Sequence, residues 1–247
     1  MANLQPGYQK THYRNLLSRD TRLSEKIRQS SWWVRAGHCV DSHFSAASGV
    51  MLADHLNAVT AKTRKIFSNR QSPFLAELFG LFPLLGMDKA QVREELKLVS
   101  LLHDLGKIED DKTKLVLHPV HKYLTCKQHA IVSVFAAMDI LGDEPSLSAG
   151  EKRRIYALIE EHDVSYGLYK EWRQTGQMPS FARWRELNDK ISDREGVGLL
   201  YLLVFKLADT HGHRCIFDVV WFFNAVKTHY FDLLGLNLPL PQASDIR

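Results

Sequence analysis

Along most of the chain, apolar residues recur three and four positions apart, and period-two alternation bounded by turn residues is almost absent. That spacing predicts helices rather than strands. It predicts a long helix over about Asp41–Phe67. Ser72 and Pro73 read as an N-cap and first helical position, opening a short helix through Leu78. From Asp88 onward, Val92, Leu96, Val99 and Leu102 share one face, and Gly106 is expected to end that helix. Mixed polarity around Pro119 predicts a loop over Lys112–Lys122, and helical spacing resumes over Thr125–Leu141, stopping near Gly142. Ser148 and Glu151 have capping-box spacing ahead of a helix over Lys152–Glu161. Gly167–Pro179 reads as loop. Helices follow at Phe181–Ile191 and Gly196–Asp209, then a last one through Trp221 to Leu234 and an extended tail from Leu236. The fold class expected is all-α, with eight or so helices.

Composition narrows the class. The 247 residues are 45% hydrophobic and 24% charged, which excludes disordered and fibrous chains and fits one large domain. The N-terminal stretch lacks an apolar leader segment. The longest apolar runs, Leu78–Met87 and Gly196–Phe205, are each about half of the ~20 residues a bilayer-spanning helix needs. No membrane partner is expected. Cys39, Cys126 and Cys215 are far apart and form no C-x-x-C pair, which argues against a disulfide framework and for a reducing, cytoplasmic setting. The net charge of +4 with neutral histidine permits an anionic substrate, but no dense Lys/Arg stripe favours nucleic acid. The unusual number is 12 histidines, the side chain most used for metal ligation and proton transfer near neutral pH.

The histidines therefore direct the search. His103 and Asp104 sit at the end of an apolar helix, in LVSLLHDLGK, where two polar side chains are costly unless something pairs with them. An ion at the helix end is within reach of both, and Lys107 returns to the same neighbourhood. Ala46, Ala47, Val50, Met51 and Asp54 recur at helical spacing from His43, which places His43 on an inward face. His129 leads the apolar series Val132, Phe135 and Ala136. His162 ends RIYALIEEHD, a place that also suits an imidazolium at a helix C-terminus, with Glu161 and Asp163 as neighbours. Asp209 ends the apolar helix containing Leu203, Phe205, Leu207 and Ala208, where an unpaired carboxylate is expensive. His12, His38 and His229 read as surface or satisfied residues, and His211 and His213 as rim or solvent. His118 and His121 read as loop residues within reach of substrate. Arg183, Arg185, Arg214, Lys122 and Lys127 are candidate phosphate contacts.

HDLGK, with a histidine upstream, two histidines downstream and a late aspartate, resembles the HD-domain superfamily of metal-dependent phosphohydrolases. The resemblance covers roughly Val40–His213. It implies one HD-type helical domain over residues 1–247, with a core of about 40–213 and helical extensions at both ends. His43, His103, Asp104 and Asp209 match one ion's ligands, and His129 and His162 match the further pair of members that hold two metals. His43 lies sixty residues before His103, a longer separation than in compact members, and Leu78–Gly86 reads as an insertion; His55 is the rival first ligand. Histidine and carboxylate without thiolate suit two divalent transition metal ions drawn from Fe, Mn, Co, Ni or Zn. Asp104 is the expected bridge. The activity implied is cleavage of a phosphomonoester or phosphodiester by a metal-bridging hydroxide, with Asp104 and Lys107 at the reaction centre and a nucleotide or cyclic nucleotide as the small phosphorylated substrate. The same fold implies two alternatives, a di-iron oxygenase and an HD-type nuclease. The exposed-looking aromatics make a homodimer a further expectation.

Overall fold

The computed structural model describes residues 19–41, 49–108, 115–117, 124–126, 128–210 and 216–246. Within them the chain forms α1 (residues 19–29), α2 (Ser31–Ala36), α3 (Leu52–Ser68), α4 (Pro73–Leu84) and α5 (Lys89–Leu102). A 3₁₀ turn at Leu105–Ile108 leads to strands β1 (Leu115–Leu117) and β2 (Leu124–Cys126). Then come α6 (His129–Leu141), α7 (Ala149–Glu160), α8 (Val164–Thr175), α9 (Phe181–Ile191), α10 (Val197–Ala208), α11 (Phe217–Val226) and α12 (Ala243–Ile246). The described chain is all-helical apart from the short β1–β2 hairpin, which pairs antiparallel with Leu115 opposite Cys126. Among the described residues no helix is long and apolar enough to cross a membrane.

Local sequence starts many of these helices. Ser72 Oγ accepts from Leu75 N at 3.2 Å with Pro73 in the first turn, and Asp88 Oδ1 accepts from Ala90 N at 2.7 Å. Ser148 and Glu151 close the expected capping box: Ser148 Oγ accepts from Glu151 N at 3.2 Å, and Glu151 Oε2 accepts from Ser148 N at 2.9 Å. Packing organises the rest. Every residue of α10 is buried, and this apolar helix packs against α3, α5, α9 and α11 in a single core that runs from Leu23 to Ile246. At about 25 cal/mol per Å² of apolar surface buried, that core is the main stabilising term.

Several elements differ from the sequence expectation: α4 runs past Leu78 to Leu84, and α5 stops at Leu102, before Gly106. The helix expected from Asp41 is not continuous through residues 49–51, and α3 begins at Leu52. Ahead of it, Asp41 N donates to Val50 O at 3.0 Å and Leu52 N to Cys39 O, so Val40 and Met51 face each other as an extended pair. Gly49 has φ +67, a conformation that continues no helix, so the helical face drawn from His43 does not extend through Val50 and Met51. The Lys112–Lys122 stretch contains β1, and Thr125 and Cys126 belong to β2 rather than to α6. Gly167–Pro179 is mostly helix, not loop. Leu168 is buried and Tyr169, Trp172 and Trp221 cluster with ring centroids 5.7–5.8 Å apart, which fastens α8 to α11 despite Gly167. Gly176, at φ +69, ends α8.

Candidate metal centre

Four helix ends converge on Asp104. The end of α5 presents His103 and Asp104; the first residue of α6 is His129; His162 follows α7; and Asp209 ends α10. A sixth side chain, His55, comes from the first turn of α3. Gly106 makes this convergence possible. A Cβ there would lie 2.1 Å from the His129 carbonyl oxygen and 2.6 Å from Ser133 N. With hydrogen in its place, Gly106 N donates to Ser133 Oγ at 2.8 Å and α6 rests directly on the HDLGK turn.

The carboxylate of Asp104 divides its two oxygens between two histidine pairs. Oδ2 lies 3.5 Å from both His55 Nε2 and His103 Nε2. Oδ1 lies 3.2 Å from His129 Nε2 and 3.3 Å from His162 Nε2. His55, His103 and Asp104 form one group that could hold a metal ion, and Asp104, His129 and His162 form another. Asp209 stands beside the first group, with Oδ1 3.1 Å from His103 Nε2.

The imidazole tautomers favour a cation at these points. His103 Nδ1 faces Ser100 O at 3.2 Å, His129 Nδ1 faces Cys126 O at 3.2 Å, and His162 Nδ1 faces Ile159 O at 2.7 Å. A carbonyl only accepts, so each Nδ1 carries a proton and each Nε2 is left facing a carboxylate, a contact that either a second ring proton or a shared metal ion makes favourable. Lone pair against carboxylate is repulsive unless positive charge sits between them. Among the described residues, His103 Nε2 and Asp104 Oδ1 are buried with no hydrogen-bond partner of acceptable geometry. Such groups are costly and call for an ion. Donor atoms that share a divalent ion at 2.0–2.2 Å stand roughly 2.8–3.6 Å apart, which matches the spacings here. The residues therefore fit a histidine–carboxylate metal centre.

Buried charge around the centre is paired. Lys107 Nζ donates to Asp104 Oδ2 at 2.6 Å and lies 4.0 Å from Asp41 Oδ1; Lys206 Nζ donates to Asp209 Oδ2 at 2.8 Å. Burial pushes both carboxyls up, but the neighbouring ammonium and His103 outweigh it and hold Asp104 and Asp209 well below the usual range. Burial likewise opposes charge on His129, yet its contacts to Asp104 and Asp163 lift it to about 9.

Of the residues singled out in the sequence, His103, Asp104, Lys107, His129, His162 and Asp209 come together. His43 lies outside the described residues, as do His118, His121, Lys122, Lys127, His211, His213 and Arg214. Arg183 and Arg185 are engaged elsewhere, Arg183 with Glu171 at 2.9 Å and Arg185 with Asp189 at 3.9 Å. Sequence reasoning missed Asp41, fully buried with Oδ2 at 3.4 Å from His55 Nδ1, and also Lys206. Lys206 did carry a signal: a lone cation in the apolar run VGLLYLLVFKLA, three residues before an aspartate, as Lys107 stands three after one. In comparisons with known proteins, the chain matches no family model, and neither a curated protein nor a solved structure gives a match.

Proposed function

We propose that the chain is a metal-dependent phosphohydrolase of the HD type, holding two divalent transition metal ions and cleaving a small phosphomonoester or phosphodiester, a nucleotide or cyclic nucleotide. The observation that carries this reading is the division of one buried carboxylate, Asp104, between the pair His55 and His103 and the pair His129 and His162. One carboxylate with an acceptor group on each oxygen suits a bridge between two ions. Ions of this kind supply Lewis acidity and lower the pKa of coordinated water, which suits phosphoester hydrolysis near neutral pH.

The chain's own residues prepare that chemistry. The carbonyls of Ser100, Cys126 and Ile159 fix the tautomers, so three imidazoles arrive as ligands without reorganising. Lys107 donates to Asp104 Oδ2 and Lys206 to Asp209 Oδ2, which fixes both carboxylates and reduces the negative charge the ions would have to balance. Asp41 steadies His55 from behind. Lys107, held beside Asp104, adds positive charge where negative charge develops on a transferring phosphoryl group.

The test uses chelated protein. Mn²⁺ or Co²⁺ is expected to restore hydrolysis of bis-p-nitrophenyl phosphate or of members of a nucleotide panel, without consumption of O₂. Activity with iron alone, together with substrate-dependent O₂ uptake, would replace this reading with an oxygenase.

A further inference from the structure

We propose that Asp163 is an additional ligand of the ion shared by Asp104, His129 and His162, so that the centre has an enclosed inner site and a solvent-facing outer one. The inference rests on the metal-centre reading above.

The argument starts at His129 Nε2. With Nδ1 committed to Cys126 O, this nitrogen is the one left to bind a metal ion, and three further ligand-type atoms surround it. Asp104 Oδ1, His162 Nε2 and Asp163 Oδ2 each lie 3.2 Å away. His162 Nε2, its own Nδ1 committed to Ile159 O, lies 3.3 Å from Asp104 Oδ1 and 3.7 Å from Asp163 Oδ2. These are five of the six distances among four ligand-type atoms. Four ligand atoms at 2.0–2.2 Å from one ion would stand about 3.3–3.6 Å apart. Asp163 thus lies at ligand spacing from both histidines. Its backbone is held at the start of α8, where the Asp163 carbonyl accepts from Tyr166 N at 3.1 Å and from Gly167 N at 3.2 Å.

Exposure separates the two sites. His55, His103, Asp104 and Asp209 are each at most 3% exposed. The Asp163 side chain is 54% exposed and that of His129 15%. An ion held by His129, His162 and Asp163 would therefore be the more accessible of the two to solvent and to an incoming anion.

The test compares wild-type protein with Asp163→Asn and Asp163→Glu. Each is stripped of metal and titrated with Co²⁺, followed by calorimetry and visible absorption, with circular dichroism as a check on folding. Asp163 is largely exposed, so the variants should keep wild-type helical content. The expected result is two binding events in the wild type and a loss of tenfold or more in affinity for the weaker event alone in Asp163→Asn, with partial recovery in Asp163→Glu. Two events of wild-type affinity in Asp163→Asn would overturn the assignment and leave the metal centre standing. No Co²⁺ binding by the wild type would overturn the metal centre and this inference together.

Discussion

Asp104 and Lys107 form a buried ion pair one helical turn apart, with Nζ 2.6 Å from Oδ2, in the same carboxylate whose other oxygen faces His129 and His162. The pair couples stability to metal binding. Asp104→Ala is expected to abolish metal uptake and activity. It also takes from the buried ammonium of Lys107 its carboxylate partner at 2.6 Å. Leaving one member of a buried pair costs about 3–5 kcal/mol. Adding Lys107→Met to Asp104→Ala should recover part of that loss without restoring metal. Urea unfolding and elemental analysis of the two variants check both halves; a double variant no more stable than Asp104→Ala would refute the coupling.

Gly106→Ala tests the docking of α6. The new methyl would meet the His129 carbonyl at 2.1 Å, and backbone cannot swing aside as a side chain does. The variant should lose about 2 kcal/mol or more through overpacking, and its affinity for the ion held by His129 and His162 should fall with it. A fully stable variant with normal metal content would mean that α6 stands off the HDLGK turn.

What was legible in the chain was what neighbours in sequence decide. Ser72–Pro73 and the Ser148–Glu151 box announce their helices because a cap is completed within three residues. His103, Asp104, His129, His162 and Asp209 stood out because each is a polar residue at the edge of an apolar helical face, and the geometry brings all five together. The misread parts depend on distant partners. The start of α3 is set by backbone pairing across Gly49, not by side-chain period. Gly167 looks like a helix breaker, but Leu168, Tyr169 and Trp172 gain more from packing beside α11 than Gly167 costs, about 1 kcal/mol. Asp41 and His55 meet only in space, and the value of each depends on the other.

His55 and His43 can be separated directly. His55 Nε2 lies 3.5 Å from Asp104 Oδ2, and Asp41 orients its far side. His55→Gln is therefore expected to lose the ion of the inner group and most activity, while His43→Gln keeps both. Metal content after gel filtration is the measurement. Loss of metal in His43→Gln with retention in His55→Gln would make His43 the first ligand.

Glu144 supplies a pH prediction away from the centre. It is buried in the turn between α6 and α7, and it ties that turn to α1: Arg22 Nη2 donates to Oε1 at 2.7 Å and Lys26 Nζ lies 3.4 Å from Oε2. The Arg22 hydrogen bonds, opposed by burial and helped by Ser146, bring its pKa down to about 2. A carboxyl depressed in the folded state contributes stability that is fully present above its unfolded value of about 4.3 and is lost as pH falls through the folded value. Arg22 and Lys26 are 55% and 43% exposed, so solvent screens the interaction and the contribution is discounted to about 1–2 kcal/mol. The gap in unfolding free energy between wild type and Glu144→Gln should therefore be constant above pH ~5, narrow between pH ~4.3 and ~2, and shrink with added salt. Urea titrations across that range read it directly. A gap that stays constant down to pH ~2 would show that Glu144 acts through packing alone and that its charge holds nothing in place.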